Sequence, residues 1–326
     1  MGPLERKRTL IFNGPVGLRR ASRHPEDLRE DWSLDGCERI FFDGCERPSI
    51  GGIPLLVKLG KGGMGYVYCG IDPEDGTEVA VKVMPRSIQE AHDTAVDRFV
   101  REGRLASQIV SDHLVRVRRA GVDPATQAQF LVMECISGMT AATWAEGYSG
   151  NAPVGDALVI MIGATRGLAA AHAAGVIHRD VKPENILIPV GDDGVAQCDR
   201  TKLTDLGLAK QKAAQLNLTA TATGLGTAGF MAPEQLSDAK RATPAADVFS
   251  IGASLYAILT GGAPFAGTTS VMAIVNTMKG EFPPLRARRP DVPAAVEALV
   301  HTCLSATADD RHQDAGKLLA DLESLR

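Results

Sequence analysis

Apolar residues in the first half of the chain fall in short runs, and in the second half in longer runs with helical spacing. From Ile53 onward, segments 55–59, 67–71 and 78–84 are strand-like and bounded by Gly, Pro or Asp. A helical stretch is expected over about 88–109, where Phe99, Leu105 and Ile109 are apolar. Two more strands fit 114–120 and 129–135, joined by a turn at Asp123-Pro124. After Gly138 the period changes. Residues 153–175 read as one long helix, with Leu158, Met161, Ile162, Leu168 and His172 at helical spacing, Pro153 near the start and Gly175 at the end. Later helices are expected over 245–260, 269–279, 294–303 and 312–325. The pattern predicts an α+β chain: a small β-rich lobe with one main helix, then a larger, mostly helical lobe, with a cleft between lobes as the natural ligand site.

Residues 1–52 lack this regularity. Segment 1–47 holds nine Lys/Arg and nine Asp/Glu, and Gly14-Pro15 and His24-Pro25 interrupt it. It reads as an irregular extension of unknown role with one short strand over 40–42. The sequence Asp-Gly-Cys-Glu-Arg occurs there twice, at 35–39 and 43–47. The two cysteines lack a nearby second Cys/His pair, so turns flanking a strand are preferred over a metal site.

Charge and cysteine content narrow the function classes. The net charge is −4 over 326 residues, which predicts no electrostatic footprint for nucleic acid or an anionic membrane. Six dispersed cysteines suggest no disulfide framework and fit a reducing cytoplasm. No apolar run approaches the roughly 20 residues of a spanning helix, so a soluble, cytoplasmic chain is expected.

Four clusters carry chemistry. Gly60-Lys61-Gly62-Gly63-Met64-Gly65-Tyr66-Val67 lies between two predicted strands, not between a strand and a helix. Its glycines can approach phosphate oxygens, and its placement argues against a dinucleotide fold. Val79-Ala80-Val81-Lys82 sets a lysine in an apolar strand, where it needs a partner, and Glu102 lies twenty residues on. Residues 176–187 contain His178-Arg179-Asp180-Val181-Lys182-Pro183-Glu184-Asn185 between apolar flanks. Leu203-Thr204-Asp205-Leu206-Gly207 places an acid after a short apolar strand, where it could share metal ions with the Asn185 amide.

In this order and spacing the clusters resemble the eukaryotic-type protein kinase superfamily, from about residue 54 to 325. The Gly-Met-Gly-Tyr-Val-Tyr and Ala-Pro-Glu-Gln-Leu segments look most like its bacterial serine/threonine branch. The resemblance implies a bilobal protein kinase fold over 53–326, with an N-lobe of about 53–136 and a C-lobe of about 137–326. It implies transfer of the ATP γ-phosphate to Ser/Thr hydroxyls of proteins, with Mg2+ as the ion and Mn2+ as an alternative. Gly60, Gly62 and Gly65 would cover the phosphates, with Leu59 and Gly63 also among the nucleotide-binding residues. Val67, Ala80 and Leu187 would sandwich adenine. Met133 would be the gatekeeper, with backbone groups of Glu134 and Ile136 bonding the base. Lys82 would contact the phosphates, held by Glu102. Asp180 would be the base, Lys182 would neutralise the transferring group, and Asn185 and Asp205 would hold the metal. Thr227 would bond Asp180 and Lys182, Asp247 the catalytic-loop backbone, and Glu234 would pair with Arg311.

Departures from the family pattern also give expectations. Leu206 replaces the usual Phe of the metal-binding triplet. Ala106 is smaller than usual, and Gly103 in a helix interior costs about 1 kcal/mol against Ala, so the helix carrying Glu102 is expected to be loose. Arg179 before the base normally needs an anion, and Thr219, Thr221 and Thr223 suggest activation-loop autophosphorylation, with a transient dimer as its vehicle. The competing reading is a pseudokinase or nucleotide-binding scaffold. The complete set Lys82, Glu102, Asp180, Asn185 and Asp205 favours activity.

Overall fold

The structure is a computed structural model that describes residues 28, 34–62, 65–84, 101, 103–206, 229–238, 242–267 and 269–326. These form two compact units, with the changeover between Gly138 and Met139 and residues 111–114 joining the second.

The first unit is a seven-stranded antiparallel sheet in the order β1-β2-β3-β4-β5-β7-β6. Its strands are β1 (Glu38–Phe42), β2 (Cys45–Ile50), β3 (Ile53–Gly62), β4 (Gly65–Ile71), β5 (Glu78–Met84), β6 (Val117–Val122) and β7 (Gln129–Glu134). Alternation sets the faces. In β4, Tyr66 and Tyr68 are buried while Val67 between them is half-buried on the other face.

Two strands, rather than the single one expected at 40–42, precede β3. Phe42 pairs with Cys45 across Asp43-Gly44, whose φ values of 49° and 80° suit a two-residue hairpin loop. β2 then pairs with β3 through Ile50 and Ile53, so this part of the extension belongs to the sheet. β6 begins three residues later than expected because Leu114 bridges Leu203 of the second unit.

Residues 101 and 103–108 are helical. A Cβ added to Gly103 would lie 2.3 Å from Ala120 Cβ, and Ala106 is 2% exposed. The missing side chain of Gly103 lets the helix lie close against Ala120 of β6 and Leu131 of β7.

The second unit carries a three-stranded sheet, ordered β10-β9-β8, from β8 (Gly138–Thr140), β9 (Ile186–Pro189) and β10 (Lys202–Leu203). Its helices are α1 (Ala141–Glu146), α2 (Val154–Ala173), α3 (Pro233–Ser237), α4 (Pro244–Thr260), α5 (Ser270–Lys279), α6 (Leu285–Arg288), α7 (Ala294–Cys303) and α8 (Ala315–Ser324). Residues 245–259 of α4 are all buried, so it is enclosed on every side and forms the centre on which α2, α7 and α8 pack. Contrary to the expectation that no apolar run approaches spanning length, α2 is long and apolar enough to cross a membrane. It is also 61% buried inside the protein over its most apolar window, as a core helix is.

Candidate active site

The glycine-rich segment is the β3–β4 hairpin end. Gly60 stands opposite Val67, and Gly62 opposite Gly65. Gly65 has φ 145°, and a Cβ there would lie 2.0 Å from Val83 O, so no side chain fits. Leu59 is half-buried just before the turn. Gly63 lies outside the described residues.

Register gathers several of the residues expected beside a nucleotide on one face of this sheet. Val67 stands opposite Lys82, and Ala80 lies between Cys69 and Met133. Ala80 and Met133 are buried, while Val67 and Lys82 are half-buried. The backbone N–H of Glu134 donates to Arg116 O at 2.9 Å, and Ile136, two residues on, is 6% exposed. Cys69 shares this face. A side-chain hydrogen bond with Cys135, then burial, pushes the Cys69 thiol far above the usual thiol range. Glu102, the expected partner of Lys82, lies outside the described residues.

In the second unit, the segment after α2 forms a loop that enters β9. Lys182 Nζ lies 3.5 Å from Asp180 Oδ2. Asn185 Nδ2 donates to Asp180 O at 2.7 Å and to Oδ2 at 3.2 Å. With its nitrogen committed, Asn185 has its carbonyl oxygen to offer a cation. Leu187 of β9 is 7% exposed.

The β9–β10 pairing brings Asp205 to the same end of the hairpin. Ile186 stands opposite Leu203, and Thr204 N donates to Asn185 O at 2.9 Å. Asp205 has φ 61°, and Leu206 after it is 7% exposed. Amide and carboxylate oxygens are hard donors that suit Mg2+, which commonly takes one or two protein oxygens and completes its shell with phosphates and water. Among the described residues there is no group of three or more His, Cys, Asp or Glu placed to hold a metal ion.

The loop's backbone is braced from below. Asp247, 0% exposed on α4, accepts the backbone N–H of His178 at Oδ2 and of Arg179 at Oδ1, each at 2.7 Å. Arg179 holds φ 63°, a left-handed value for a bulky residue, and its carbonyl accepts Gln235 Nε2 at 2.6 Å. Arg179 Nε is buried without a hydrogen-bond partner among the described residues. Arg311 meets Glu234 in a two-bond fork. Thr227, Thr219, Thr221 and Thr223 lie outside the described residues.

Two histidines do more than their sequence signal indicated. His178 Nδ1 accepts Asp180 N at 3.3 Å while Nε2 donates to Thr204 O at 2.8 Å, tying the Asp180 loop to the Asp205 segment. His172 Nδ1 accepts Ala315 N at 3.2 Å, which leaves Nε2 to donate to Asp247 Oδ2 at 2.9 Å. Helical spacing marked His172 as core, and nothing in the spacing revealed its polar contacts.

Residues 54–320 match the protein kinase domain family. Serine/threonine-protein kinase PknL of Mycobacterium tuberculosis is 37% identical over 271 residues, 83% of this chain and 65% of that protein. Probable serine/threonine-protein kinase PknB of Lactococcus lactis is 31% identical over 271 residues, 82% of this chain and 41% of that protein. The chain thus spans less than two thirds of the length of these curated relatives. The crystal structure of the Mycobacterium tuberculosis PknI kinase domain superposes with a TM-score of 0.66 at 22% identity, covering 88% of this chain and 100% of that one. That likeness speaks to the fold.

Proposed function

Because the chain belongs to the protein kinase domain family, we propose that it transfers the γ-phosphate of ATP to serine or threonine hydroxyls of proteins. The observation that carries this reading is the Asp180 carboxylate with Lys182 and Asn185 bonded to it, joined to Asp205 through the Thr204–Asn185 bond. A scaffold has no need to hold an acid, a cation and an amide in this arrangement.

The substrate hydroxyl oxygen attacks the γ-phosphorus, the bond to the ADP oxygen breaks, and the hydroxyl proton passes to Asp180. A base so placed contributes about 10²–10⁴-fold. Lys182, 3.5 Å from Asp180 Oδ2, offsets negative charge on the moving phosphoryl group. Lys82 contacts the α- and β-phosphates with Glu102 as its partner, and Val67, Ala80 and Leu187 enclose the base beside Met133, Glu134 and Ile136. Gly60, Gly62 and Gly65 let backbone approach the phosphates, Leu59 and Gly63 join the nucleotide-binding residues, and Thr227 orients Asp180. Asn185 and Asp205 would hold the metal, which when bound would neutralise charge on the phosphate oxygens. Mg2+ is the proposed ion, Mn2+ the alternative, and cytoplasmic ATP the donor.

Lysine two positions after the base supports hydroxyl substrates of the serine/threonine class. Arg179 Nε, buried without a partner among the described residues, supports an activation-loop phosphothreonine as the anion for this arginine, made by autophosphorylation in a transient dimer. Purified chain incubated with labelled ATP, Mg2+ and a generic protein should label serine or threonine and Thr219, Thr221 or Thr223. Labelled product from an Asp180→Asn chain at the parent rate would exclude the mechanism.

A further inference from the structure

The family match begins at residue 54, yet the buried core of the first unit reaches back to Leu28. One face of the sheet carries Val67, Ala80 and Lys82. The opposite face carries Tyr66, Tyr68, Val81, Val83, Phe130 and Val132, each at most 6% exposed. A sheet begun at residue 54 would present that apolar face to water, a patch of the kind that marks a docking surface. Here Leu28, Leu34, Ile50 and Ile53 join it in one buried cluster, with Cys37 packed alongside.

This covering is fixed in register as well as sticky. Gly51, in the turn between β2 and β3, donates its N–H to Asp123 Oδ1 at 2.9 Å. Asp123 is 3% exposed and also accepts Thr126 N at 2.9 Å and Thr126 Oγ1 at 2.7 Å, so the carboxylate is fully engaged. Arg119 Nη2 donates to Gly51 O at 3.5 Å. Gly51 has φ 58°, and a Cβ there would lie 2.1 Å from Phe130 Cζ, so the turn presses directly on β7.

We propose that Leu28, Leu34 and the β1–β2 hairpin are a positioning element of the nucleotide site, acting from the back of the sheet. A strand is one residue thick, and its side chains alternate between faces. Tyr66 and Tyr68 flank Val67, and Val81 and Val83 flank Lys82. Close-packed interiors transmit displacement, so a shift of the tyrosines and valines moves the nucleotide-facing side chains with them. The segment preceding the family match therefore sets how well β4 and β5 hold ATP.

The kinetic part of this proposal rests on the ATP reading above, and the test separates the two. In the full chain, Leu34→Ser opens the cluster, Leu34→Met keeps it filled, and Phe41→Ser alters the same hairpin at a side chain that is 78% exposed. Leu34→Ala serves if the serine variant does not fold. Leu34→Ser should speed amide hydrogen exchange in β4 and β5 of the ligand-free protein by about tenfold. It should raise KM for ATP by about tenfold, with kcat held within about twofold. Leu34→Met and Phe41→Ser should match the parent in both readouts. Unchanged exchange and unchanged KM in a folded Leu34→Ser or Leu34→Ala chain would overturn the proposal, as would a fall in kcat at constant KM. A parent that does not turn over ATP, with β4 exchange still raised by Leu34→Ser, would sink the kinase reading while supporting the back-of-sheet coupling.

Discussion

Asp247 holds Arg179 in a left-handed backbone conformation: its Oδ1 accepts the Arg179 N–H at 2.7 Å while Arg179 keeps φ 63°. The same carboxylate takes the His178 N–H and the His172 ring. Three donors therefore converge on a side chain that is 0% exposed. Asp247→Asn places an amide NH2 where an acceptor is required, and one buried N–H loses its partner. The expected cost is about 1–3 kcal/mol in urea unfolding, with a loss of kcat as the Asp180 loop relaxes. Parent-like stability and turnover together would contradict this brace.

Glu234, 19% exposed, pairs with the buried Arg311 through bonds of 2.8 and 3.0 Å. Arg311 also donates to the carbonyls of Ala245, Ser305 and Ala306, and its side chain is 0% exposed. Glu234→Ala would strand the guanidinium charge. Thermal or denaturant unfolding should show a loss of about 3–5 kcal/mol. A loss below about 1 kcal/mol would place the pair with surface ion pairs instead.

Gly103 gives a prediction opposite in sign to helix propensity. Alanine is the better helix former by about 1 kcal/mol. Its Cβ, however, would lie 2.3 Å from Ala120 Cβ. Gly103→Ala should therefore destabilise, by the roughly 1–3 kcal/mol of an overpacked core. Adding Ala120→Gly should recover part of that loss, and a double-mutant cycle measures the coupling. A stabilising Gly103→Ala would show that the helix is not pressed against β6.

Thiol reactivity tests the sheet face beside Val67. The Cys69 thiol is raised by its bond to Cys135 and by burial, and burial pushes Cys303 up to about 12. The thiolate is the nucleophile, so a raised pKa lowers the reactive fraction at a given pH. At pH 8 the Cys303 thiolate is roughly one part in ten thousand. Iodoacetamide at pH 8 should leave Cys69 and Cys303 unmodified in the native chain and alkylate both after denaturation, as peptide mass spectrometry would show. Native labelling of Cys69 at the rate of a free thiol would contradict the placement.

Short apolar runs bounded by Gly and Pro were enough to locate β3, β4, β5 and β7, because each strand buries a face and ends at a turn residue. The helix period located α2, α4, α5, α7 and α8. The grouping of Asp180, Lys182 and Asn185 was legible because the three lie within six consecutive positions of one loop, which brings their side chains together. The β1–β2 hairpin escaped the reading although Asp43-Gly44 is a hairpin signal, since charged residues on both sides hide the alternation. The space at Gly103 was not legible because propensity describes an isolated helix, and only the neighbouring Ala120 shows that a Cβ does not fit. His172 and Gln235 act through contacts between elements far apart in sequence, and no local pattern encodes such partners.

The most direct measurement is phosphate transfer by the purified chain with labelled ATP, Mg2+ and a protein acceptor, run beside Asp180→Asn and with the metal chelated. Phosphoserine or phosphothreonine should form with the parent, fall by about 10²–10⁴-fold with Asp180→Asn, and vanish without the metal. A parent that binds ATP yet transfers no phosphate, or an Asp180→Asn chain that transfers as fast as the parent, would contradict the account.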